Sequence, residues 1–520
     1  MKKRIILIAS LIIGVAVTAG ALLCEKRSDA RFERPTMGCT DEMITALPYF
    51  DLIAASRENR NLPCDIKSYS FGDGIIHLIL PEDVPKKAVV VYIRDENGVY
   101  LGRRVYDFSK RVMIGPWEVQ LGQHTLPTLY FGSDDPVVSA AMMASGEKEI
   151  ISEGTVYVRA EGKDAKATAQ DVTASLRGRG NGSWNVVCKK SYSLRLDKAR
   201  NLLGLGSNRN WNLIGNAVDP SVLNNVTFNT VAHNAGIAFQ PAMCNVNLYI
   251  DGVYQGVYTL STKVTIDKKR IALKNGDYFY RMDPETQTQP ILYDSTTWFD
   301  DGSGYPVADL IYPENAAPSV VNEAGVILQN FIDAVENPES GRLSEVCDVD
   351  SLARFYLVQE ASMNFDAWER STYLYYLESD GLIHMGPVWD MDLALGSPYE
   401  KEGLDFDTPI GWKIRNAGWY TRLYENETFR QAVLDAYYKG GVREALLDGV
   451  EEFEHQRSIM GEDAHLNYEL FGGYNDYGKK KLYGDECAGY EEFTDSMIGF
   501  YRERLSWIDA NISDFETTSP

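Results

Sequence analysis

The sequence predicts an α+β protein with a β-rich lobe followed by a helical lobe, and a small all-β module ahead of both. Three observations predict it. Apolar and polar residues alternate in short runs between about 66 and 264. Apolar residues recur at helical spacing between 319 and 512. At about 126 the texture changes to strands separated by Gly-rich turns. Strands gathered before helices describe an α+β plan.

The elements follow in chain order. Lys2, Lys3 and Arg4 precede an uncharged apolar run from Ile5 to Leu23, and Ala19-Gly20-Ala21 fits a cleavage site after Ala21. That is the pattern of an export signal. The run is also about long enough to stay as a membrane anchor, and Cys24 offers lipidation as a third reading. All three place the body of the chain outside the cytoplasm, secreted or held at the outer face of the membrane. Residues 1–24 are assigned to this segment and 25–65, with Pro35, Pro48 and Pro63, to a polar stalk with room for one short helix. Cys39 and Cys64 flank a stretch that a disulfide could close. The remaining cysteines are scattered and none forms a CxxC pair, which argues against a structural zinc site.

The all-β module covers 66–125, with strands expected at 75–80, 88–95 and 99–108 and a hairpin turn at Asn97-Gly98. From 126 to 512 the chain reads as one larger domain, and 513–520 as a disordered tail. In it, 191–197 alternates as a strand, and 245–264 reads as two strands around Asp251-Gly252. Between these, 219–236 reads as a helix capped by Asp219, with Pro220 at its first position and Gly236 at its end. Helices are expected at 319–337, 350–364, 427–441 and 490–512.

The 520 residues carry a net charge of −23, from 51 basic and 74 acidic side chains. Such a surface repels polyanions and argues against nucleic acid or an anionic membrane surface as the main partner. Membrane contact is expected only through the N-terminal segment.

Three segments carry chemistry. In 175–184, Arg177, Gly178, Arg179, Gly180 and Asn181 precede Trp184. Glycines let backbone N–H groups turn toward an anion, and arginines fork onto phosphate oxygens. A plain β-turn with solvated arginines is the competing reading. Downstream, Lys189, Lys190 and Arg195 lie before and on the next strand, where a cation can reach nucleotide phosphates. In 359–397, a helix ends before Asn364 and Asp366, a hairpin follows with strands 371–377 and 382–386, and Asp390 and Asp392 come directly after it. A carboxylate before a hairpin can accept a hydroxyl proton, and one beyond it can hold Mg²⁺. Mg²⁺ needs only one or two carboxylates beside phosphate oxygens and water. Each aspartate alone is as well read as a turn or cap residue. In 209–225, Asn216 and Asp219 mark a polar turn into a helix, with capping the simplest role for Asp219.

In this order, the segments resemble the CotH kinase family. The resemblance rests on Arg177-Gly178-Arg179-Gly180-Asn181 with Trp184, Lys189-Lys190-Ser191-Tyr192, Leu202-Leu203-Gly204, Trp211 to Asn225, Gly252 to Leu260, Asn364-Phe365-Asp366 and Pro387 to Gly396. It covers about 126 to 510, roughly three-quarters of the chain. It implies a two-lobed, divergent protein-kinase-like catalytic domain that uses ATP with Mg²⁺ or Mn²⁺ and phosphorylates Ser/Thr hydroxyls of extracytoplasmic or cell-surface proteins. By match to the motifs, Asp366 is the catalytic carboxylate and Asp390 the metal ligand, assisted by Asp392 or Asn364. Arg177 to Asn181, Lys190 and Arg195 would face the nucleotide. The chain departs from the family's habit at Ser261-Thr262-Lys263, where a Glu often stands, at Arg195 for a lysine, and at Asn224 for an arginine. These departures motivate a competing reading, a non-catalytic surface or adhesion protein that keeps the fold. Two carboxylates across a sugar-binding cleft would suit a glycosidase, which ranks last. No G-x-S-x-G supports a serine hydrolase.

Overall fold

The computed structural model describes residues 50–55, 64–66, 75–79 and most of 87–517, leaving aside short intervals that include 161–168, 181–183, 185–188, 296–306 and 472–482. Among the described residues it is a mixed α+β structure with several sheets and ten α-helices. In chain order the helices are α1 (Pro136–Ala144), α2 (Asn224–Asn234), α3 (Pro318–Glu336), α4 (Leu343–Val346), α5 (Val349–Ser362), α6 (Tyr420–Glu425), α7 (Glu427–Tyr438), α8 (Val442–Met460), α9 (Glu462–Phe471) and α10 (Tyr490–Asn511). The chain divides into two compact units, one built from residues 1–215, 245–260 and 460–471, the other from 216–244, 261–459 and 472–520.

The first unit is built mainly of two sheets. Its strands are β1 (Phe50–Ala55), β2 (Cys64–Ile66), β3 (Ile75–Ile79), β4 (Val89–Asp95), β5 (Tyr100–Tyr106), β6 (Val112–Ile114), β7 (Trp117–Gly122), β8 (Thr128–Ser133), β9 (Ile151–Arg159), β10 (Ala169–Arg179), β11 (Ser191–Asn201), β12 (Ser207–Ile214), β13 (Met243–Ile250) and β14 (Val253–Thr262). Eleven of them form one sheet in the order β12-β11-β10-β9-β8-β13-β14-β2-β1-β4-β5, while β3, β7 and β6 form a second. Strands expected in the 66–125 module therefore share a sheet with strands beyond 126. Strands β1 and β2 also lie inside the stretch expected to be an irregular stalk. Cys39 and the Asn97-Gly98 turn fall outside the described residues, although β4 and β5 pair antiparallel on either side of that turn.

Burial follows the sequence pattern. Strand β9 alternates exposed and buried residues along most of its length, as a strand with one solvated face must. Strand β13 is different: it runs parallel to β8, and Asn245 to Ile250 are all buried, which suits a strand covered on both faces. Helix α9 completes the unit through its first turn. The buried Asp463 carboxylate accepts from Thr125 N and Leu126 N at 2.9 Å each, from Asn247 Nδ2 at 2.8 Å, and meets His124 Nδ1 at 2.5 Å.

The second unit carries a five-stranded sheet in the order β16-β17-β15-β18-β19, made of β15 (Tyr278–Met282), β16 (Pro290–Leu292), β17 (Val307–Tyr312), β18 (Thr372–Leu377) and β19 (Leu382–Met385). The expected helices appear at 318–336, 349–362, 427–438 and 490–511, within two or three residues of the predicted limits. The helix expected at 219–236 begins later, at Asn224. The reason is local. Asp219 Oδ1 accepts from the Ser221 amide and hydroxyl, and Val222 takes a left-handed φ of 59°, so Pro220 sits in a tight turn rather than at the first helical position. Helices α8 and α9 carried no expectation. The core of this unit is aromatic: Tyr356 packs on Tyr420, Phe429 and Phe515, and Phe228 packs on Phe453 and Tyr501.

Candidate functional site

Helix α5 delivers the first part of the site. Asp348 caps its start by accepting from Asp350 N and Ser351 N. Met363 ends it in the left-handed region at φ 50°, which turns the chain off the helix axis and leaves Asn364 buried at the head of a short loop. Asn364 Oδ1 accepts from Asp366 N at 3.3 Å, and Arg370 N closes back on Asp366 O at 3.1 Å. The loop is a single turn with the half-buried Asp366 on it. Thr372 Oγ1 donates to Ala367 O at 3.2 Å and seats the turn on the start of β18.

The hairpin β18–β19, with its bend at Asp380-Gly381, then leads to Asp390. Asp390 has φ 65° and ψ 56°, the left-handed region, and a single 3-10 turn, Met391–Leu393, follows it. A non-glycine residue held there costs on the order of 1–2 kcal/mol, and such strain gathers at functional positions. Groups from elsewhere in the unit hold this turn. Met391 N donates to Asn225 Oδ1 at 3.0 Å, Asn224 Nδ2 donates to Ala394 O at 3.1 Å, Leu395 N donates to Ser362 O at 2.6 Å, and Tyr483 Oη donates to Leu395 O.

Two links join the loop and the turn. Ser371 Oγ donates to Asp390 Oδ2 at 2.9 Å, and Ser371 directly follows the residue whose amide closes on Asp366. Asn364 Nδ2 lies 3.4 Å from Met391 Sδ while its Oδ1 holds Asp366 N. The loop that carries Asn364 and Asp366 is thus tied to the turn that carries Asp390, and the half-buried Asp392 follows on the same turn. Among the described residues, no group of three or more His, Cys, Asp and Glu side chains is arranged to hold a metal ion. The donor types still suit a hard cation: carboxylate and amide oxygens match Mg²⁺ or Mn²⁺, which keep phosphate oxygens and water as further ligands. Ser371 is the only hydrogen-bond partner of the Asp390 carboxylate among the described residues and engages one of its two oxygens.

The other predicted residues lie in the first unit, where the expectation of a glycine-rich loop needs correction. Arg177, Gly178 and Arg179 finish strand β10 and pair in register with Ser193, Tyr192 and Ser191 of β11. The bend starts only at Gly180, with φ 97°. Gly178 is required for packing: a Cβ there would lie 2.3 Å from the Trp184 ring, which is fully buried. Arg177 is exposed and lies 4.0 Å from Glu149, and Gly180 O accepts from Lys148 Nζ at 2.7 Å. Asn181 falls outside the described residues.

The lysine pair divides its roles. Lys190 Nζ donates to Trp184 O and stands 4.9 Å from the Trp184 ring centroid. Lys189 is the buried member. Its Nζ donates to Val257 O at 2.5 Å and to Asn467 Oδ1 at 2.7 Å, between the rings of Tyr258 and Phe471. Gly178, Trp184 and Lys190 therefore form one cluster. Arg195 is apart from it, on the exposed face of β11 and opposite the buried Leu194 and Leu196.

Several residues that shape the site were not assigned to it from the sequence, although Asn224 and Asn225 belong to the Trp211 to Asn225 segment. Ser371, Asn224 and Asn225 touch the Asp390 turn from 19 or more positions away. Glu360, six residues before Asp366, is fully buried with Arg504 of α10. It also accepts from Lys413 N at 2.8 Å, Arg415 N at 2.7 Å and Tyr356 Oη at 3.0 Å. Only a helical-face argument joining α5 to α10 could have hinted at this pair.

Compared with known proteins, residues 176–508 match the family model described as CotH kinase protein. That span includes Asn224, Asn225 and every predicted site residue. No curated protein matches the chain.

Proposed function

The chain belongs to the CotH kinase family, and from that premise we propose that it is an exported, ATP- and metal-dependent protein kinase with a two-lobed protein-kinase-like fold. Its acceptors are Ser/Thr hydroxyls of extracytoplasmic or cell-surface proteins. The observation that carries the reading is the linkage of the Asp366 loop to the Asp390 turn through Ser371 and Asn364.

In this reading Asp366 orients the acceptor hydroxyl and takes its proton as the new oxygen–phosphorus bond forms and the bond from the γ-phosphorus to the β-phosphate oxygen breaks. Asp390, with Asp392 or Asn364, holds the divalent ion. When bound, that ion offsets charge on the phosphate oxygens. Arg177, Arg179 and the backbone at Gly180 are the candidates for nucleotide phosphate, with Lys190 and Arg195 as further cations. Export rests on the basic and apolar N-terminal segment; among the described residues, no helix is long and apolar enough to cross a membrane.

The test is transfer of labelled phosphate from ATP to a Ser-rich protein with Mn²⁺. Asp366→Ala and Asp390→Ala should each lower the rate by at least about 100-fold, the usual scale for losing a proton acceptor or a metal ligand, while circular dichroism stays unchanged.

A second reading, a non-catalytic surface protein, is favoured by the engagement of Lys190 with Trp184 and by Ser261-Thr262-Lys263. It predicts no transfer and no stabilisation by ATP with Mn²⁺, against a clear upward shift in Tm for an active kinase.

A further inference from the structure

We infer that Asn225 is a positioning residue for metal binding, and that the first two residues of α2 form a clamp on the turn that carries Asp390 and Asp392. The inference rests on the kinase reading of that turn.

The turn is short of internal support. Met391–Leu393 is three residues long, and its own closing hydrogen bond is Ala394 N to Met391 O at 3.0 Å. Asp390, at its head, is in the left-handed region and caps nothing with its side chain. A single 3-10 turn entered from such a conformation needs outside contacts to keep one geometry. Helix α2 supplies them at both ends. Asn225 accepts from the amide directly after Asp390, and Asn224 donates to the carbonyl two residues after Asp392.

The clamp is itself held. Asn225 Nδ2 donates to Asn216 Oδ1 at 2.8 Å, which fixes the amide so that its oxygen faces Met391 N. Asn224 N donates to Asp219 Oδ2 at 3.0 Å, and Asp219 is gripped by the Ser221 amide and hydroxyl. Asn216, Asp219, Asn224 and Asn225 are all buried. Simple capping of α2 would need Asp219 alone. It does not call for two consecutive buried asparagines aimed at one distant turn. Asn225 acts through the backbone beside Asp390 rather than on nucleotide or acceptor.

The experiment uses the full chain and Mn²⁺, with a non-hydrolysable ATP analogue present. It reads the Mn²⁺ concentration at the midpoint of the thermal shift. Asn225→Ala should raise that midpoint at least tenfold with circular dichroism intact. Asn216→Gly keeps the left-handed backbone and removes the amide that orients Asn225, so it should raise the midpoint by a smaller factor. It also gives the answer if Asn225→Ala does not fold. Thr227→Ala, on the same helix and with no hydrogen-bond partner for its buried hydroxyl among the described residues, should leave the midpoint unchanged. Wild-type midpoints in the Asn225 and Asn216 variants, or an equal rise in Thr227→Ala, overturn the clamp. If Asp390→Ala also keeps the wild-type midpoint, the metal reading of the turn fails first and the clamp falls with it.

Discussion

Ser371 Oγ donates to Asp390 Oδ2 across 2.9 Å, so the residue that opens one strand of the hairpin orients the carboxylate that follows the other strand. Ser371 is itself in the left-handed region, at φ 50°. The two ends of the hairpin are thereby closed on each other by side chains as well as by the β18–β19 ladder.

Removing that hydroxyl tests its role directly. A hydrogen bond to a charged group contributes about 1.5–3 kcal/mol, less where water reaches it. Ser371→Ala should lower phosphate transfer by about tenfold and leave the unfolding midpoint in urea nearly unchanged. An equal fall in stability and activity would assign Ser371 to the fold alone.

Gly178 gives a second prediction, confined to the first unit. A methyl group there would stand 2.3, 2.6 and 2.7 Å from three atoms of the buried Trp184 ring. Overpacking of this kind typically costs about 1–3 kcal/mol. Gly178→Ala should lower Tm and change Trp184 fluorescence, whereas Arg177→Ala, one residue away and exposed, should do neither.

The buried pair Glu360–Arg504 gives a third. Arg504 also donates to the Gly411 and Pro409 carbonyls, at 2.6 and 2.9 Å, so the pair ties the end of α5 to α10 and to the 409–415 segment. Burial lowers the Arg504 pKa, and Glu360 opposes that by favouring the charged form. Breaking a buried pair leaves one charge without compensation, at a cost of about 3–5 kcal/mol. Glu360→Ala or Arg504→Ala should each lower stability by that amount in urea unfolding. The double variant should lose less than the sum of the two, because the pair interacts.

A fourth prediction concerns pH. His384 contacts Asp348 Oδ2 through Nδ1 at 3.0 Å and Asp380 Oδ2 through Nε2 at 3.1 Å, with the Tyr375 ring stacked on it. Burial pulls the histidine pKa down, but hydrogen bonds and charge from Asp348 and then Asp380 outweigh it and raise the value above the ordinary 6.5. The His384 hydrogen bond comes first in lowering Asp348 below the ordinary 3.8, against desolvation and with help from the Ser351 amide. The raised histidine stabilises the fold fully below 6.5, and that contribution is lost as pH rises through its folded-state value. The lowered aspartate stabilises above 3.8, and its contribution is lost as pH falls through its folded-state value. The Tm difference between wild type and His384→Gln should therefore be largest between these two ordinary values and shrink above neutral pH. A difference that grows with rising pH would contradict the assignment.

Much of the fold was legible because it rests on local periodicity. The strand at 191–201 alternates over its first six residues, 89–93 is an unbroken apolar run of Val, Tyr and Ile, and the helices at 318–336 and 490–511 repeat at helical spacing, so a window of residues carries the signal. The expectation at 219–236 failed at its start because Asp219 and Val222 satisfy a turn before any helix begins. The expectation of a loop at 175–184 failed because glycine signals backbone freedom equally well for a turn and for close packing. Gly178 sits in a strand so that Trp184 can lie over it.

Local order and residue chemistry follow from the sequence by itself: acidic charge, the main strands and helices, and the placing of Asp366 before a hairpin with Asp390 after it. These depend on neighbours within a few positions. Which groups meet was decided only by tertiary structure. Asn225 reaches Met391 across 166 positions, Asn467 meets Lys189 across 278, and Glu360 meets Arg504 across 144. Such contacts form because leaving a buried polar atom without a partner is costly once water is removed. The folded backbone, rather than any nearby residue, determines which partner stands within reach.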